Sequence, residues 1–129
     1  MEKTITPGLK TTCLAGSIVA GIFGLIYMLV PEAYQKLIGV PIKQPTETTV
    51  VREFGVAFLA LASGSWLAFK QTSVDKVKIM VQMIIVWMVL GALVMLWSLL
   101  SSELPAIYWL YEVIFAGFAI ALGVLYPRG

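Results

Sequence analysis

Histidine is absent from this 129-residue chain, cysteine occurs once, and only 12% of residues are charged. Without histidine, and with the lone thiol of Cys13, the usual ligand sets for zinc, copper and haem are missing. Disulfide cross-linking within the chain and a nucleophile–base pair are missing too. The scarcity of charge excludes more. Soluble domains carry about a quarter charged residues and ~45–50% apolar ones, whereas 60% of this chain is apolar. A water-soluble globule of this size would lack the polar surface to cover itself. The net charge of +2 is dispersed along the chain and points to no nucleic-acid partner. The glycines follow helical spacing with no phosphate-cradling loop. No catalytic residue, metal ligand or cofactor motif is therefore expected, and the chain reads as a non-enzyme.

What is present is long apolar sequence. Four runs approach or exceed the ~18–20 residues a helix needs to cross a bilayer, which places spans at about 11–30, 46–70, 75–100 and 104–126. The runs lack apolar/polar alternation, so barrel strands are excluded. Residues 1–129 are expected to form a single all-α domain, an antiparallel four-transmembrane-helix bundle. Pro31 closes the first span, and Pro45 and Pro105, with Glu47 and Ser102-Glu103 beside them, open the second and fourth. Ser73 and Asp75 are candidate caps for the third. Between the first two spans, residues 31–39 end in glycine and read as a short interfacial helix.

An even number of spans puts both termini on one side. That side carries Lys3, Lys10, Lys70, Lys76, Lys78 and Arg128, against Lys36, Lys43 and Arg52 opposite. The bias predicts a multi-pass protein of the cell membrane with both termini cytoplasmic. Aromatics gather at the outer boundary (Tyr27, Tyr34, Trp97, Tyr108, Trp109, Tyr111), where interfacial anchoring accounts for them. Trp87 lies mid-membrane and needs an acceptor for its N–H, which Ser63 or Ser65 can supply.

Helices in lipid are held by close backbone approach and polar contacts. Small residues mark faces on the first span (Gly16, Ala20, Gly24), the second (Ala60, Gly64, Ala68) and the fourth (Ala116, Ala119, Gly123). The same faces offer a route to self-association. The third span is bulkier and rich in methionine, read as packing.

Three charges fall within the spans: Arg52, Glu53 and Glu112. Arg52 lies seven residues after Pro45 and Glu112 seven after Pro105, so both reach roughly 10 Å into their helices. An unpaired charge at mid-span costs ~2.5–3.5 kcal/mol on insertion scales. An Arg52–Glu112 ion pair between the second and fourth spans is therefore expected, with Glu53 near enough to couple. It serves either as a structural register or as a ligand-binding site.

The stretch from Pro31 to Gly39, followed by Val51-Arg52-Glu-Phe-Gly55-Val-Ala-Phe-Leu-Ala60, resembles the DoxX-like group of small four-helix membrane proteins. In that group a first span ends in Pro, a Gly-terminated segment follows, and Arg-x-x-Gly opens the second span. The group takes its name from a quinol oxidase component. The resemblance implies a shared structural or binding role for Arg52 and Gly55. Two functional readings follow. One is an accessory or lipid/quinone-binding protein with a polar site near the outer ends of the second and fourth spans. The other is a small proton-coupled transporter of hydrophobic or cationic compounds that uses Glu112.

Overall fold

The computed structural model describes residues 4–101 and 104–127. Lys3, Ser102, Glu103 and Arg128, used above for topology and capping, lie outside the described residues. Five helices follow in order: α1 (Pro7–Leu29), α2 (Pro31–Leu37), α3 (Pro45–Lys70), α4 (Val74–Ser101) and α5 (Ile107–Leu125). Among the described residues no strand forms, and a single bridge joins Thr4 to Ser73. Helix α1 starts earlier than its apolar run suggests. The Thr6 hydroxyl accepts from the Leu9 N–H at 3.3 Å, and Pro7 occupies the first helical turn, where no amide partner is needed.

Pro31 starts α2 directly after α1. The Gly39 N–H donates to Lys36 O and the Val40 N–H to Gln35 O, the paired C-terminal closure that needs a left-handed residue. Gly39 supplies it with φ +85°. Helices α3 and α4, of 26 and 28 residues, are about 40 Å long. Their polar first turns, with Thr46, Glu47 and Asp75, extend beyond a ~30 Å hydrocarbon core.

The four long helices make a ring in the order α1, α3, α4, α5, built from two tight pairs, α1 with α3 and α4 with α5. The diagonal partners, α3 and α5 among them, share no close backbone contact. In the α1–α3 pair the expected α1 face makes the close approach through Gly24, but on α3 the contact falls at Gly55 and not on the Ala60–Gly64–Ala68 stripe, of which Ala60 is exposed. A Cβ built on Gly55 would lie 2.7 Å from Met28 N and 2.8 Å from Gly24 O. The Ser17 hydroxyl donates to Ala62 O at 2.9 Å. Between α4 and α5, Phe115 lies over Gly91, and between α3 and α4, Met80 lies over Gly64. The stripe on α5 does not behave this way: a Cβ on Gly117 or Gly123 would meet nothing within 4 Å.

The core is concentrated toward the end that carries the termini, where Leu9, Val77 and Val81 are fully buried. Toward the α2 end a cavity is left between the two pairs. Around the ring, apolar side chains such as Ile22, Leu90, Val94, Val113 and Ile120 are more than half exposed. A continuous apolar exterior of this kind is unstable in water and stable in lipid. Four helices are long and apolar enough to cross a membrane, and the protein is a small integral membrane protein.

Candidate functional site

At the α2 end an apolar cavity of about 330 Å³ lies between the two helix pairs. Phe23 and Tyr27 of α1 form one wall, and Phe54 and Phe58 of α3 another. Met88 and Met95 of α4 face Tyr108, Tyr111 and Phe115 of α5, while Gln35 of α2 sits at the rim. Helices α3 and α5 meet here through rings, with Phe58 and Phe115 at 6.5 Å between centroids.

The tyrosines organise the cavity mouth. The Tyr34 and Tyr111 phenols are hydrogen-bonded to each other and tie α2 to α5. Tyr111 stands edge-on to Phe23 at 5.7 Å and to Tyr108 at 5.3 Å. Tyr27 contacts Tyr34 at 5.4 Å and Phe58 at 5.8 Å. Such pairs contribute about 0.5–1.5 kcal/mol each beyond the area they bury. Burial, and then the hydrogen bond to Tyr111, push the Tyr34 phenol above its ordinary value.

The aromatic belt read from sequence therefore divides. Trp97 and Trp109 are exposed as boundary anchors are, but Tyr27, Tyr108 and Tyr111 face the cavity. The helical spacing of Tyr108, Tyr111, Phe115 and Phe118 carried that information, because it places four rings along one side of α5. Met88 and Met95, read as packing, also line the cavity.

The charged residues do not assemble as expected. Arg52 is exposed and lines a separate polar groove of about 510 Å³, together with Glu32, Lys43, Thr48 and Thr49. Glu53 is exposed, adjacent in sequence but turned ~100° away. Glu112 is half-buried, with Oε2 enclosed and without a hydrogen-bond partner, and it does not line the cavity. Among the described residues no acid and base come within ion-pair distance, so the Arg52–Glu112 pair is not formed. The physical reason is azimuth. Helices α3 and α5 are diagonal in the ring, and the small stripe of α5 does not bring it against α3. Trp87 is a second correction. Its ring packs edge-on to Phe58 at 6.4 Å, while its N–H is buried without a partner and Ser63 is exposed.

Within the groove, the Thr48 hydroxyl donates to Glu32 Oε1 at 3.4 Å. The Lys43 backbone N–H donates to Glu47 Oε2 at 2.8 Å. Among the described residues no three His, Cys, Asp or Glu side chains cluster to hold a metal ion. No protein-family model, curated protein or solved structure matches the chain.

Proposed function

We propose that this protein binds a lipid or quinone without transforming it, holding the apolar part of the ligand between its two helix pairs. The observation that carries this reading is the apolar cavity at the α2 end, walled by aromatic and methionine side chains. Binding sites for apolar molecules combine such walls with a few polar groups that orient the ligand. Here those groups are the tyrosine phenols and Gln35 at the mouth. Methionine walls adapt to chains of variable shape. An accessory subunit in a membrane complex would use such a site to hold a lipid or quinone in place.

The lysines of the described residues support an orientation. Lys10, Lys70, Lys76 and Lys78 lie toward the end with the termini, against Lys36, Lys43 and Arg52 at the α2 end. By the positive-inside rule the termini are cytoplasmic and the cavity belongs to the outer leaflet.

The test is retention. Protein purified in mild detergent is expected to carry about one lipid or quinone per chain by native mass spectrometry, and Val51→Trp, which fills the cavity wall, is expected to lose it. A chain that purifies empty in several detergents, with Val51→Trp indistinguishable from it, sinks the reading. The enclosed, unpartnered Oε2 of Glu112 favours a second reading, proton-coupled transport. Transport requires ligand binding that changes with pH and loses that dependence in Glu112→Gln.

A further inference from the structure

The polar groove and the apolar cavity are linked by shared lining residues. A shallow trench between them shares Ile42 with the groove, and Gln35, Val50 and Val51 with the cavity. The junction lies on α3. Val51 faces the cavity and the next residue, Arg52, faces the groove, as the ~100° step of a helix requires. A molecule occupying both would have a charged head beside Arg52 and an apolar chain beyond Val51.

The cavity's depth indicates what kind of chain. Its lining on α5 runs from Tyr108 to Phe118, about 15 Å along the helix axis. That is half of a ~30 Å hydrocarbon core, the depth of one leaflet. The groove's charge indicates what kind of head. Lys43 and Arg52 both line it, and among the described residues neither has an acid within ion-pair distance. Glu32 accepts from the Thr48 hydroxyl and Glu47, which borders the trench, from the Lys43 N–H, and the two cations outnumber the one carboxylate that lines the groove. A guanidinium presents a planar fork of donors matched to two phosphate oxygens. The neutral carbonyl head of a quinone makes no use of two cations.

We infer that the ligand is an anionic phospholipid of the outer leaflet, its phosphate held by Arg52 and Lys43 and one acyl chain lodged among the tyrosines. The inference rests on the cavity reading above and specifies its ligand.

The experiment is competitive native mass spectrometry of the full chain in detergent, with equimolar phosphatidylglycerol and phosphatidylcholine of identical acyl chains. Wild type is expected to retain phosphatidylglycerol about tenfold over phosphatidylcholine, because both carry the phosphodiester but the choline cation of the second is repelled by Arg52 and Lys43. Arg52→Gln and Lys43→Gln, both at exposed positions, are expected to bring the ratio toward parity. Val51→Trp is expected to lose both lipids. Excess glycerol 3-phosphate is expected to leave the adduct in place. Displacement by it would instead identify a site for free anions and overturn the lipid assignment. Equal retention of the two lipids by wild type, or a preference that survives both glutamine substitutions, overturns the head-group assignment and leaves the cavity reading standing. Absence of any lipid or quinone adduct overturns both.

Discussion

Gly55→Ala is the sharpest test of how this bundle is held together. The new Cβ would lie 2.7 Å from Met28 N and 2.8 Å from Gly24 O, and 3.1 Å from the Tyr27 carbonyl carbon. All three are backbone atoms of α1, which no rotamer change can move. Carbon contacts are comfortable at ~3.5–4.0 Å, so α1 and α3 must separate by about 0.7 Å or more. A gap of that size forfeits roughly a quarter to a half of each dispersion contact along the shared face. Overpacking of this kind costs ~1–3 kcal/mol, and the better helix propensity of alanine returns about 1 kcal/mol. The expected net loss is up to ~2 kcal/mol. Gly123→Ala supplies the control, because nothing lies within 4 Å of its Cβ. The same chemical change there should be neutral, or stabilising by up to about 1 kcal/mol. Both variants can be unfolded in dodecylmaltoside by titration with dodecyl sulfate, followed by far-UV circular dichroism. If the two variants unfold at the same dodecyl sulfate fraction, the close α1–α3 contact is not what stabilises the bundle. Gly55→Ala should also displace Tyr27 and lower lipid retention, which Gly123→Ala should not.

Further expectations concern the polar groups. Because Glu112 has no cation beside it, Glu112→Gln should leave thermal stability unchanged or raised. Arg52→Ala should lie within about 0.5 kcal/mol of wild type, as exposed substitutions do. A loss of several kcal/mol in both, relieved in the double variant, would restore the ion pair. Tyr111→Phe removes one partner of the phenol pair that ties α2 to α5 and should destabilise by about 1 kcal/mol, with faster hydrogen exchange in residues 31–37. Unchanged exchange there would mean that α2 is held by other contacts. The raised pKa of the Tyr34 phenol gives a pH dependence of known sign. The folded state keeps this proton where the unfolded chain, near its ordinary value of 10.0, has lost it. Stability is therefore complete below pH 10 and declines as pH rises above it toward the folded value. Tyr34→Phe should make that alkaline decline shallower, as seen by thermal scans between pH 8 and 11, and an identical slope would contradict it.

Much of the architecture was legible one residue at a time. Four apolar runs, Pro31, Pro45 and Gly39 determine four long helices, a short one and their boundaries, because helix length, amide count and left-handed backbone are local properties. The α1 stripe ending in Gly24 also read correctly, its backbone meeting α3 at Gly55. What sequence spacing left open was the direction in which each helix face points. Arg52 and Glu112 each lie seven residues past a proline, yet their helices are diagonal in the ring and the charges do not meet. Tyr27, Tyr108 and Tyr111 had the composition of a boundary belt, and the pairing of α1 with α3 and of α4 with α5 turned them inward around a cavity. The scarcity of charge and the absence of histidine fixed the solvent and narrowed the chemistry. The order of the helices around the ring decided where a ligand can sit, because a helix carries its depth in its own sequence but takes its azimuth from its neighbours.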